Sequence, residues 1–442
     1  MSTSQTTHRV AFVYVHALAC FYHHIWHNTY VDPSIQSVTA VLSLVAVVVA
    51  LWFPFDWRAV GGLLVMNLVD VFFVLPEVPN HWLLTAFFDA FLLAALVATR
   101  GAPDVLSRIR EPVAWGVAIL YIYTGFWKLT TDFLNHDVSC GVMAWRRLAD
   151  QVPGLPADGL GPLLATYGTL VLELVFPFLL VWKRTRPMTV FLFACFHLLL
   201  GLDVIQNFAN FSTIMWSLLL VSLDDDAFDR LGTMGPALLR VSRAWAVVLV
   251  LLQPLAAVPS THVLYIGLRW LVWVLHGPLI LWVFFRLAGG KLPDRPTLPW
   301  GWAFTVVILL NGMMPILGLK TRNSWQMYAN LRLEADVSNH FLVPRSLDLA
   351  GLLADDVTVL DVSDPELKAR WVRPEHRETW YMFRTELSKR PELSVRYERD
   401  GQQIRVDRVG DDPELSRPYP APVRWFVWFR PLGPEVGRVC TW

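Results

Sequence analysis

The chain of 442 residues is 55% hydrophobic and 17% charged, with 21 Trp and 26 Phe, a balance that excludes an ordinary water-soluble globule and makes lipid the solvent for most of it. Its 37 basic and 37 acidic side chains cancel, so neither nucleic-acid binding nor polybasic attachment to a lipid surface finds support. Four cysteines without CxxC spacing give neither a disulfide scaffold nor a metal-ligand pattern.

The polar start MSTSQTTHR leads into an apolar stretch with no A-x-A-like exit, so no cleavable signal peptide is expected. A crossing needs about 20 mostly apolar residues. By that measure spans are predicted at 10–27, 36–54, 59–76, 82–99 and 112–129, then at 163–182, 188–206, 243–258, 263–285 and 300–318. A short eleventh at 211–223 either crosses or re-enters. Residues 1–319 hold 18 basic and 18 acidic side chains and residues 320–442 hold 19 of each, which puts a domain boundary near Lys320. Beyond it alternation predicts short strands at Val357–Val362, Leu393–Arg399, Gln403–Val409 and Arg424–Leu432, with Arg399–Gly401 as a hairpin turn. The fold class is therefore mainly α: a polytopic bundle of ten or eleven spans (1–319) followed by a small β-rich extramembrane domain (320–442).

Sidedness follows from Lys and Arg in short loops. Arg100, Arg108 and Arg110, then Lys183, Arg184 and Arg186, then Arg286, Lys291 and Arg295 form three clusters expected to face the cytoplasm of a multi-pass cell-membrane protein with a cytoplasmic N-terminus. The outer side then collects the turn Pro76–His81, the long loop after Lys128 and the whole C-terminal domain. Its exposed Trp and Arg residues read either as interfacial anchors or as a cover over the lysine side. Cys140 and Cys440 fall on that same oxidising side, so a disulfide between them is expected.

Ionisable side chains at membrane depth cost roughly 2.5–3.5 kcal/mol each on insertion scales, which makes them functional candidates. They are Asp70, Asp89, Lys128, Glu173, Asp203, Arg269 and His276, with His197 beside them and His16, His23, His24 and His27 in a histidine-rich first span. Lys128 follows the aromatic run YIYTGFW, which holds no carboxylate. An apolar wall favours the free amine, the form that serves as general base; a helix-end lysine that snorkels to the interface reads equally from this segment. His81, preceded by Asn80, opens the fourth span at the level of Lys128 and either shares a proton or follows an N-capping asparagine. Glu173 and Asp203 each read as a member of an internal pair or as a hydrogen-bonded neutral acid, and Arg269 as a carboxylate fork or a snorkelling side chain. His23 and His27 share a helix face, yet no HExxH pattern accompanies them, so no metal is assigned.

Three segments together resemble the horizontally transferred transmembrane domain (HTTM) family, related to the vitamin K-dependent gamma-carboxylase. They are YIYTGFWKL (Tyr121–Leu129), NHWLL (Asn80–Leu84) and the long exit from Asn311 to Pro344; a fourth, weaker match is FHLLLGLDVIQNFAN (Phe196–Asn210). The resemblance implies an enzyme in which Lys128 is the catalytic base and His81 serves the carboxylation half. Asn80, His197 and Arg269 are then the substrate-binding candidates.

The implied cofactors are a reduced vitamin K-like hydroquinone, O2 and CO2 or bicarbonate, with no metal. The implied partners are the bilayer, the lipophilic quinone and a peptide or small-molecule carboxylate. The extramembrane domain is far shorter than the carboxylase's. Two other readings compete: a transporter with Glu173, Asp203 and Arg269 as an intramembrane relay, and a non-catalytic sensor that leaves Lys128 at the headgroups without a pocket. The enzyme reading expects Lys128 and His81 in one cavity and Lys128 without an ionic partner.

Overall fold

A computed structural model describes residues 2–26, 33–203, 208–252, 263–290, 292–293, 296–434 and 440. The chain is mostly helical. Helices α1 (Thr3–Trp26), α2 (Pro33–Trp52), α3 (Trp57–Val74), α4 (Asn80–Ala98) and α5 (Val105–Trp127) are followed by two short ones, α6 (Thr131–Leu134) and α7 (Cys140–Gln151). The predicted span at 163–182 is interrupted: α8 (Leu160–Leu163), a π turn (Leu164–Gly168), α9 (Thr169–Leu174) and α10 (Phe176–Val181) succeed one another, with Pro177 at the start of the last. Then come α11 (Arg186–Gly201), α12 (Phe208–Val221), α13 (Gly235–Leu252), α14 (Val263–Leu287) and α15 (Trp302–Leu317).

Six stretches among the described residues are long and apolar enough to cross a membrane: Trp57–Val74, Asn80–Ala98, Leu160–Val181, Gly235–Leu252, Trp270–Leu287 and Pro299–Leu317. Shorter apolar helices occupy Val41–Trp52, Arg186–Gly201 and Phe208–Val221. These helices turn apolar side chains outward, as lipid as solvent demands: Val41, Val45, Leu275, Phe285 and Leu310 are all exposed. The polar helix goes inside. Helix α1, with His8, Arg9, His16 and His23, is wrapped by α2, α12 and α13, and every residue from Val10 to Tyr22 is buried. Helix α12 is buried at every position but Phe211, so the eleventh segment is an internal helix of 14 residues, about 21 Å long.

The two ends of the bundle differ in charge. At one end Arg110 pairs with Asp224 and meets the Pro293 carbonyl, while Arg186 grips Glu111 at 2.8 and 3.0 Å. The other end carries the turn before α4, the loop after α5 and the exit from α15. There Asn323 donates to the Pro76 carbonyl, Thr130 to the Ala329 carbonyl, and the Cys140 N–H to Asn330. Segments predicted to share a side do share an end.

Gly318, in the left-handed conformation (φ 70°), stops α15 and turns the chain into the C-terminal region. Four antiparallel strands form a sheet there in the order β2-β1-β3-β4, with β1 Asp356–Val362, β2 Glu378–Thr379, β3 Val395–Arg399 and β4 Gln402–Val406. Asp400 and Gly401, both at positive φ, make the two-residue hairpin between β3 and β4. Helices α16 (Pro365–Trp371) and α17 (Trp380–Leu387) supply Trp371, Trp380 and Phe383 to a core of its own with Val357 and Val395.

The expected fourth strand at Arg424–Leu432 does not form. Pro420 and Pro422 launch a short helix instead, α18 (Ala421–Phe426), and the extended residues after it spend their backbone groups elsewhere: the N–H groups of Thr321 and Arg322 both donate to the Trp428 carbonyl. Farther along the chain, the sulfur of Cys440 is bonded to that of Cys140. Non-reducing digestion and mass mapping should return one cross-linked peptide pair carrying Cys140 and Cys440. Two free thiols would remove the covalent tie between the tail and α7.

Candidate functional site

Helix α5 delivers Lys128. As the C-cap residue of α5 it sits where the aromatic run ends, and only 5% of it is exposed. The broken segment α8–α10 passes alongside and packs tightly at Gly125: a methyl group there would lie 2.8 Å from the Leu174 side chain and 3.0 Å from Glu173 Cβ. Glycine three residues before the lysine thus lets α9 close in. The consequence is an ion pair: Lys128 Nζ donates to Glu173 Oε2 at 2.7 Å, to Oε1 at 3.0 Å and to the Thr124 carbonyl at 3.3 Å. This corrects the expectation of an unpaired lysine. The partner lies 45 positions away on another helix, and the three donor positions of an ammonium are all used.

The pair lies in the wall of a cavity of about 430 Å³. Leu120, Leu172, Leu199, Leu200 and Phe196 supply apolar wall; His81, Tyr121 and Asn210 add polar groups to it. Lys128 and His81 therefore face one space. Tyr121 is fixed from behind: its ring stacks on Phe193 with centroids 4.1 Å apart, and its hydroxyl lies 2.6 Å from His197 Nε2. His197, expected at a substrate, stands outside the cavity lining, behind Tyr121.

Asn80 also stands outside that lining. Pro79, not Asn80, is the N-cap of α4, and Asn80 Oδ1 accepts the Trp325 N–H at 3.0 Å, pinning the exit strap that also sends Met327 and Tyr328 into the cavity. The side chain of Arg269 lies outside the described residues. Asp203 lines the cavity, but its cation is Arg147, at 3.2 Å, with Gln151 at 3.1 Å. Glu173 and Asp203 are thus held by different cations rather than strung into one relay. In the first span, His23 is engaged with Asn210 and Asp70, while His27 and the His24 side chain lie outside the described residues.

The exit strap closes round the lysine. Thr130 forms a bridge with His340, whose Nε2 lies 2.8 Å from the Phe126 carbonyl, and the Phe341 N–H donates to the Leu129 carbonyl. Burial holds the His340 imidazole below its usual range, which suits a neutral ring bound to backbone.

Against known proteins, the HTTM domain model matches residues 112–224. The chain carries an HTTM domain. The match contains α5 from Pro112 onward, Lys128, Glu173, the broken segment and α12, so the ion pair and most of the cavity wall belong to it. No curated protein and no solved structure matches the chain.

Two features of the HTTM site escaped the sequence reading. Glu173 was visible as an intramembrane acid, yet nothing in its own segment points to Lys128. Asn210 carried no signal beyond being a polar residue in an apolar helix.

Proposed function

We propose that this protein is an integral membrane enzyme of the vitamin K-dependent carboxylase type, which couples oxygenation of a reduced lipophilic quinone to proton abstraction from, and carboxylation of, a carboxylate-bearing substrate. One observation carries the reading: Lys128 and His81 line one apolar cavity at the end of the bundle covered by the exit strap. HTTM domains are found in vitamin K-dependent carboxylases, and the lysine motif here lies inside the matched segment.

The cavity's chemistry suits a quinone. Leucine and phenylalanine walls accept a flat apolar ring system, and the polar groups gather to meet its oxygens. Bound there with oxygen, a hydroquinone supplies a base strong enough to deprotonate an unactivated carbon, and CO2 captures the carbanion. The residues do the rest. Lys128 and Glu173 form a proton-holding unit: when the ammonium has passed its proton on, the free amine takes a hydroxyl proton, and Glu173 steadies the ammonium that results. The Tyr121 hydroxyl, held by His197, fixes the orientation of an oxygen at the cavity wall, and His81 steadies a carboxyl or CO2 group. Apolar packing keeps out the water that would quench so strong a base.

The test is turnover of a reduced naphthoquinone to its epoxide by the purified protein under oxygen and bicarbonate. Lys128→Ala is expected to lower the rate at least about 100-fold, the lower end of what a positioned acid–base group contributes. Equal epoxide formation by the variant would refute the base, and no epoxide from the wild type would refute the quinone.

A further inference from the structure

The buried helix α1 carries three histidines that the cavity chemistry does not use, and each faces an aspartate from a different element. His8 Nδ1 lies 2.8 Å from Asp225, His16 Nε2 lies 3.0 Å from Asp89 on α4, and His23 Nε2 lies 3.8 Å from Asp70 on α3. Positions 8, 16 and 23 fall within about 80° of one another round the helix, spaced about 12 Å and about 10 Å along its axis. All six side chains are nearly or wholly buried. Three ion-pairing groups on one stripe of one helix, through the depth of a bundle read as membrane-spanning, are far more than packing requires.

Polar groups fill the gaps between the pairs. Ser217 lies 3.3 Å from His16 Nδ1, one turn of α12 from Leu220, whose carbonyl is 3.2 Å from His8 Nε2. Above His16, Asn67 donates at 2.9 Å both to Asp89 and to Cys20 Sγ, and Asp70 follows Asn67 by one turn of α3. The stripe then meets the cavity: Asn210, which lines it, lies 3.3 Å from His23 Nδ1. At the opposite end, Asp225 is buried and neighbours Asp224, the partner of Arg110, and its N–H donates to Ser107.

We infer that these three histidine–aspartate pairs are a proton-conducting file joining the Lys128–Glu173 cavity to the arginine-bearing end of the bundle. Protons pass along waters and hydrogen-bonding side chains that bridge the intervals of about 12 and about 10 Å, each ring taking a proton on one nitrogen and giving one up from the other. The aspartates balance the transient imidazolium. Besides these aspartates, the groups facing α1 include His276 of α14, which is 2.7 Å from the Tyr14 hydroxyl on the other side of the helix and so stands off the file; Cys20 and Tyr22 belong to α1 itself.

The file deepens the proposed reaction and rests on it only for its direction of use. Replacing a substrate C–H by a carboxylate with CO2 releases one proton, whereas the hydroquinone's two protons leave with one oxygen atom as water. One proton per turnover must therefore leave a cavity built to exclude water.

The test needs no quinone, so its failure would leave the carboxylase reading standing. The full-length protein is reconstituted in phosphatidylcholine vesicles containing a pH-sensitive dye, and a potassium diffusion potential drives proton entry. Wild type should acidify the lumen at least about ten times faster than protein-free vesicles. His16→Gln, which keeps a hydrogen-bonding side chain but cannot relay a proton, should return the rate to that of empty vesicles while the protein remains monodisperse. His8→Gln, at the mouth of the file, is read in the same way should position 16 prove necessary for folding. A wild-type rate equal to that of empty vesicles overturns the inference; so does a wild-type rate in both glutamine variants.

Discussion

Glu173→Leu is expected to lower the melting temperature of the detergent-solubilised protein far more than the double replacement Lys128→Met/Glu173→Leu. The single change strands a buried ammonium, 5% exposed, whose remaining acceptor is one carbonyl at 3.3 Å. Breaking one side of a buried pair typically costs about 3–5 kcal/mol, whereas replacing both partners by apolar groups of similar size is often neutral. The reason is that desolvation is charged to each ion separately and only their attraction offsets it. In the double variant both penalties vanish along with the attraction, and the leucine and methionine extend walls already made by Leu120 and Leu172. Loss of stability in the double variant equal to the sum of the two single losses would show that the pair does not act as a unit. The comparison also separates stability from chemistry: the double variant should fold and form no epoxide.

How far the fold was legible follows from which forces act locally. Apolar runs fix where helices lie because a crossing must satisfy its own backbone, and each of the eleven predicted stretches contains helix in its described part. The histidines of α1 stood out by type, but that this helix is internal becomes plain only with their aspartate partners, which lie on other elements. At Arg424–Leu432 the alternating aromatics suggested a strand. The competing signal was the proline cluster just before it, and the decisive one, the bond from Thr321 and Arg322 to the Trp428 carbonyl, is tertiary.

The site divides in the same way. Lys128 and His81 announced themselves by residue type in an apolar setting. Gly125 was quoted only as part of the lysine motif, and its role becomes physical once Leu174 and Glu173 are seen against it. Asn80 pointed to a ligand and instead holds the Trp325 N–H, because a buried backbone donor at a chain crossing needs an acceptor as urgently as any substrate would. His197 was placed at the substrate and is one step removed, behind Tyr121.

Lys320 gives the second large effect. It follows the end of α15 by three residues, is 6% exposed, and makes no ion pair or hydrogen bond among the described residues. Burial lowers its amine from the ordinary 10.5 to about 7. Between those two values the unfolded chain holds a proton that the folded chain has released, so stability rises with pH through this window; below about pH 7 the folded protein carries the full cost of a buried ammonium. The fall corresponds to roughly 5 kcal/mol as an upper bound. Lys320→Met keeps the length of the side chain and discards the charge. At pH 6.5 it should therefore melt several degrees above wild type, and the gap should narrow steadily as the pH approaches 10, where the folded amine is already neutral and the unfolded one is losing its proton. A gap that stays constant over this range would mean that shape, not charge, sets the cost at position 320, and an advantage that grows with pH would mean that the amine has an anionic partner in solution.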